Sequence, residues 1–169
     1  RVDSATDDKL SNIGSVVSHL KGKLGIANAK LAYREYQQLF SENAFHYLQS
    51  AGGMPQRLLW ASTGVKNTNY SDVLYIEQLI GKNTVNTIPP ATAAAFKDHG
   101  TASETLEIDM NNASAIVDDI KKHGVDLDSM MNTLETDGLN IFNQSFSNLL
   151  KLIEKKIHTF SDSDSSHVA

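Results

Sequence analysis

The sequence predicts a helix-rich α/β fold, and three neighbouring stretches carry that prediction. The apolar run Leu58-Leu59-Trp60-Ala61 is too short for a helix. Gly52-Gly53 and Pro55 precede it and Gly64 follows, which is the profile of a buried strand running into a loop. Residues 72–80 then place Val73, Leu74, Ile76, Leu79 and Ile80 at three- and four-residue spacing, a helical pattern. Residues 82–88 make a second short strand that stops at Pro89-Pro90. Strand, loop, helix, turn and strand form a βαβ unit, with parallel strands and a right-handed crossover.

Composition narrows the function classes. A chain of 169 residues is large enough for one core, and its hydrophobic share of 40% is ordinary for a globular protein. A formal charge of −5 gives no electrostatic case for nucleic acid. Without cysteine, neither a disulfide framework nor a thiolate metal site can form. Apolar runs all fall short of a membrane span, so no membrane is expected as a partner. Nothing at the start resembles a signal or transit peptide. The chain begins at Arg1 rather than at methionine, which points to part of a longer polypeptide.

Taken in order, residues 1–13 fit a helix only loosely through Val2, Ala5, Leu10 and Ile13. Gly14 is a plausible stop, although Val16, Val17 and Leu20 could continue the pattern. Residues 24–40 form the strongest early helix, with Ile26, Ala27, Leu31, Tyr33, Tyr36, Leu39 and Phe40 on one face. Asn28 and Lys30 read as surface residues, with Lys30, Arg34, Glu35 and Gln37 on the polar side. Residues 44–49 make a short helix or turn, and Gly52-Gly53-Met54-Pro55 is a turn. After the βαβ unit, residues 93–98 are helical and Gly100 is expected as their C-cap. Thr101 and Glu104 have capping-box spacing for a helix over 104–122, which Gly124 ends. Asp72 reads as a structural residue at a helix N-terminus, and His123 suits the negative pole of its helix. Neither His99 nor His123 has a second ligand at metal spacing, so no metal site is assigned.

Asp128 is the expected N-cap of a further helix over 129–134. Asp137-Gly138 either interrupts it or lies within one kinked helix. Residues 139–158 place Ile141, Phe142, Phe146, Leu149, Leu150, Ile153 and Ile157 on one face, a pattern of core packing more than of a cofactor box. Residues 159–169, rich in serine and aspartate from Ser161 on, form an expected disordered tail and read as a natural C-terminus.

LLWASTGVKN, followed by YSDVLYIEQLIGKNTVNTIPPAT, closely resembles the late barrel strands of transaldolase, in the branch with the longer C-terminal region. The resemblance runs from Arg1-Val2-Asp3 through KGKLGIANAKLAYREYQ to about Lys156. It implies the C-terminal portion of a (β/α)8 TIM barrel with extra C-terminal helices, residues 1–158 belonging to one barrel domain. It also implies a start inside the sixth barrel strand, since a complete barrel typically needs roughly 250 residues. The implied activity is transfer of a dihydroxyacetone unit between sugar phosphates in the pentose phosphate pathway. It proceeds through a lysine Schiff base, with no metal or organic cofactor. Cytoplasm is the default compartment, and the family also admits a plastid.

In a parallel barrel the loops after the strands carry the site. That places residues 61–67 on the active face and Arg57 toward the opposite end. Hydroxyls and a cation at a barrel mouth could hold a phosphate, and the resemblance gives that role to Arg1, Ser62 and Lys66. The alternatives are a solvated terminal arginine, a serine capping the next turn and a solvated loop lysine. Lys66 is not read as the Schiff-base lysine, because its loop offers no sign of the desolvation such a lysine needs. The family's Schiff-base lysine and acid–base aspartate and glutamate lie upstream of Arg1, so no catalytic residue is assigned here. By the resemblance the last helix packs back over the barrel, where Phe142 or Phe146 would help to wall the mouth.

Partners are therefore sugar phosphates, with the upstream part of the same protein or a second copy of the chain. A reading of another class is a catalytically inactive fragment that self-associates through the strands 58–61 and 84–88, whose edges would be unpaired.

Overall fold

The computed structural model describes residues 1–164, which fall into two compact units, Arg1–Val125 and Asp126 onward. The first unit begins with helix α1 (Val2–Ile13) and a 3-10 segment (Ser15–Leu20). Helices α2 (Leu24–Leu39) and α3 (Glu42–Ser50) follow, then strand β1 (Leu58–Ala61) and the short helix α4 (Leu74–Gln78). Strand β2 (Thr84–Thr87), α5 (Pro90–His99) and α6 (Met110–Lys122) complete it. Strands β1 and β2 are parallel, with Leu58 opposite Thr84 and Ala61 opposite Thr87. The βαβ unit is therefore present, and the chain is α/β with helix dominant.

The core sits where α2 faces this small sheet. Tyr33, Trp60, Leu79 and Leu106 form one buried cluster, and Leu58, Tyr36 and Met110 pack against it. Leu106 is fully buried, and burial of such a side chain contributes about 1.5–3 kcal/mol. The Trp60 indole N–H donates to the Leu79 carbonyl at 3.2 Å, so its one polar group is satisfied inside the cluster.

Strand β1 is not buried on both faces as its apolar run suggests. Trp60 is buried, whereas Leu59 is 53% exposed and Ala61 is also exposed. The pleat sends alternate side chains to opposite faces, and among the described residues only one face of the two-stranded sheet is covered.

Residues 101–109 are not the start of a helix. No helix starts at Glu104; α6 begins at Met110, after Asp109 in a left-handed conformation at φ 54°. The backbone donors of the preceding stretch go elsewhere. Thr105 and Leu106 N–H groups both donate to the Ile80 carbonyl at 3.0 Å, and the Thr101 N–H donates to Glu77 Oε1 at 2.8 Å. The Thr105 hydroxyl donates to the Glu77 carbonyl. The Thr105 and Leu106 bonds satisfy the Glu77 and Ile80 carbonyls at the end of α4 and beyond it while Leu106 is delivered to the core, so tertiary pairing overrides the local capping signal.

Gly100 is the C-cap of α5, as expected, its N–H donating to the Phe96 carbonyl at 2.9 Å, and it is extended (φ −73°, ψ 153°) rather than left-handed. A Cβ there would stand 2.2 Å from the Phe96 ring, so close approach is what requires glycine. Lys30, expected on the polar surface, is buried. Its ammonium crosses to the segment before α6 and donates to the carbonyls of Ile108 at 2.6 Å and Thr105 at 3.2 Å.

The second unit is α7 (Leu127–Asp164), one continuous helix through Asp137 and Gly138. Its N-cap is Asp126 rather than Asp128, because Asp126 Oδ1 accepts the Ser129 N–H at 3.0 Å. Its apolar stripe is exposed, with Phe142 at 77% and Phe146 at 62%. The helix continues past residue 159, where the tail was expected to start, and residues 165–169 lie outside those described. Among the described residues no helix is long and apolar enough to cross a membrane.

Candidate functional site

The two strands run parallel, so their C-terminal ends open on the same side, and side chains bind those ends together. The Ser62 N–H donates to Thr87 Oγ1 at 3.3 Å, and the Thr87 hydroxyl donates to the Trp60 carbonyl at 3.2 Å. The buried Thr63 hydroxyl donates to Asn86 Oδ1 at 2.8 Å. Ser62 itself adopts φ 55°, the left-handed region, which costs a residue with a Cβ about 1–2 kcal/mol. Strain at the mouth of a strand is tolerated where the surroundings over-determine it, and the threonine contacts do so here.

A cavity of about 450 Å³ opens at this end, and Arg1, Ser62 and Lys66 all line it. Arg1 immediately precedes α1, whereas Ser62 and Lys66 follow β1. All three are solvent-exposed, and among the described residues neither cation is engaged in an ion pair. Arg57, before the other end of β1, does not line the cavity.

The same cavity is lined by four residues that sequence reasoning passed over: Asp3, Asp7, Tyr70 and Tyr75. Asp3 and Asp7 lie one turn apart on α1 and are 5% and 8% exposed. Each carboxylate is bonded through both oxygens. Asp3 Oδ1 accepts the Gly25 N–H at 2.7 Å and Oδ2 accepts the Tyr75 hydroxyl at 2.6 Å. Asp7 Oδ1 accepts the Gly22 N–H at 2.9 Å and Oδ2 accepts the Tyr70 hydroxyl at 2.7 Å. Burial first, and then the carboxylate partner, pushes both phenols well above their ordinary range, so they remain protonated donors. Gly22 sits at φ +69°, and a Cβ there would lie 2.8 Å from the Tyr70 ring.

The missed signal was one of periodicity. Residues 3, 6, 7 and 10 form the buried face of α1, but two of the four are aspartates, so the helix reads as only loosely amphipathic. The arrangement offers two cations and a serine hydroxyl beside a rigid, satisfied carboxylate wall. Chemically it can hold an anion at its cationic side. Among the described residues no group of three or more histidine, cysteine, aspartate or glutamate side chains could hold a metal ion.

The family model described as Transaldolase/Fructose-6-phosphate aldolase matches residues 1–153. Transaldolase 2 of Nostoc punctiforme (strain ATCC 29133 / PCC 73102) is 46% identical over 144 residues, covering 84% of this chain and 38% of that protein. Transaldolase of Thiobacillus denitrificans (strain ATCC 25259 / T1) is 46% identical over 154 residues, covering 90% of this chain and 43% of that protein. The chain thus spans less than half the length of these curated relatives. On these matches, the chain belongs to the transaldolase/fructose-6-phosphate aldolase family.

Proposed function

We propose that this chain is the C-terminal part of a transaldolase barrel and supplies its phosphate-binding side. The parent protein transfers a dihydroxyacetone unit between sugar phosphates, in the pentose phosphate pathway, in the cytoplasm or a plastid. The Schiff-base lysine and the acid–base carboxylates lie in the upstream part, within the one barrel domain to which residues 1–158 belong. The reading is supported by one observation above the rest: Arg1 shares a single cavity at the C-terminal end of β1 with Ser62 and Lys66, some sixty positions further along the chain. A guanidinium fork, a hydroxyl and an ammonium suit a phosphate dianion. The uncovered sheet face bearing Leu59 and Ala61 is consistent with a barrel interior that further strands would close.

In this assignment the chain orients substrate. Phosphate held by Arg1 and Lys66 fixes one end of the sugar, so that the carbonyl carbon is delivered to the upstream lysine and the entropy of alignment is met by binding. Lys66→Ala in the full-length protein is expected to raise KM for fructose 6-phosphate, with a smaller effect on trapping of an unphosphorylated ketose. An unchanged KM overturns the assignment.

The open edges of β1 and β2 favour a second reading, self-association of an inactive fragment through them. Sedimentation of the 169-residue chain as a stable monomer counts against it.

A further inference from the structure

We propose that Asp3 with Tyr75, and Asp7 with Tyr70, are positioning residues that set the spacing of Arg1 and Lys66 and thereby make the cavity selective for phosphorylated sugars. This rests on the phosphate reading above and deepens it. Arg1 stands two residues before Asp3, whose carboxylate ties the first turn of α1 to the α2 backbone at Gly25 and to Tyr75 of α4. Lys66 stands at the head of a compact turn: the Tyr70 N–H donates to the Asn67 carbonyl at 3.1 Å, and the Asn69 N–H donates to Asn67 Oδ1 at 3.0 Å. Tyr70 closes that turn, and its phenol is anchored on Asp7. Two charge-assisted bonds of 2.6 and 2.7 Å therefore join the helix that follows Arg1 to the segment that follows Lys66.

The carboxylates are poor candidates for direct work on substrate. Each oxygen already accepts one bond from the protein, and both side chains are buried. Their negative charge still faces the cavity wall, where it opposes an anion seated anywhere except against the cations. The pairs thus act on the phosphate site in two ways, by fixing where the cations stand and by disfavouring misplaced anions.

The test uses the full-length protein with Tyr70→Phe, Tyr75→Phe and Lys66→Ala. Kinetics are measured on fructose 6-phosphate and on unphosphorylated fructose, with inorganic phosphate as inhibitor. Each phenylalanine variant keeps the ring and loses one bond. The expected result is a rise of about tenfold in KM for fructose 6-phosphate and in the phosphate inhibition constant. Turnover of fructose stays within about twofold of the unsubstituted protein. Equal losses on both substrates overturn the proposal, because a merely structural role moves both. An unchanged phosphate inhibition constant in the phenylalanine variants, while Lys66→Ala raises that constant, also overturns the proposal and leaves the phosphate site standing. Unchanged inhibition in Lys66→Ala as well removes the phosphate reading itself. Should either phenylalanine variant fail to fold, Asp3→Asn and Asp7→Asn, which keep an acceptor oxygen, are read by the same two criteria.

Discussion

The Tyr75 hydroxyl donates to Asp3 Oδ2 at 2.6 Å, across 72 positions of sequence, and so fastens α4 to the first turn of α1. The bond holds the phenol proton. Burial is the larger cause, with Asp3 adding to it, and Tyr70 on Asp7 behaves alike. A phenol whose folded pKa lies above the unfolded value of about 10 contributes stability that is fully present below that value. It is lost as pH rises through the folded one, so these two groups weaken the fold only in strong alkali. In a phenolate absorbance titration of the full-length protein, Tyr70→Phe or Tyr75→Phe is expected to leave the amplitude near pH 10 unchanged. A lost tyrosine's worth of amplitude there would contradict the assignment.

Lys30 offers a second test, of the packing between α2 and the segment before α6. Burial lowers its pKa, yet its ammonium serves two carbonyls, those of Thr105 and Ile108. Lys30→Met keeps the stem and strands those acceptors, which is expected to cost about 1–3 kcal/mol. Denaturant unfolding of the full-length protein measures it, and a more stable variant would show that the carbonyls find water instead.

His99 links the end of α5 to the segment before α4. Its Nε2 lies 2.9 Å from Asp72 and its Nδ1 3.2 Å from Asp98, and both carboxylates raise its pKa, Asp72 first. The small stabilisation from protonated His99 is fully present below about pH 6.5 and fades as pH rises through the raised value. Ring NMR titration is expected to place His99 above a solvated histidine and to lower it on Asp72→Asn. No movement on that substitution would mean that the exposed pair is too well solvated to matter.

Much of this was legible in the sequence because it follows local rules. The short apolar run at Leu58, the three- and four-residue spacing at Val73 and Ile76, and the proline pair at 89–90 are each sufficient to place an element. Arg1, Ser62 and Lys66 came from the family resemblance, and the fold gathers them at one cavity. What escaped was set by distant partners. Asp3 and Asp7 are polar residues on a buried face, satisfied by Gly25, Gly22, Tyr75 and Tyr70. The start of α6 was missed because Thr105 and Leu106 bond back to Ile80, and no local pattern carries that pairing. Lys30 looked like a surface residue because its carbonyl partners lie more than 70 positions away.

The most direct measurement of the central claim is peptide mapping by mass spectrometry after borohydride reduction of the full-length protein with fructose 6-phosphate. The account predicts one reduced dihydroxyacetone adduct, on a lysine upstream of this 169-residue chain. An adduct on Lys66, or on any other lysine of this chain, would contradict it, and so would the absence of any adduct from active protein.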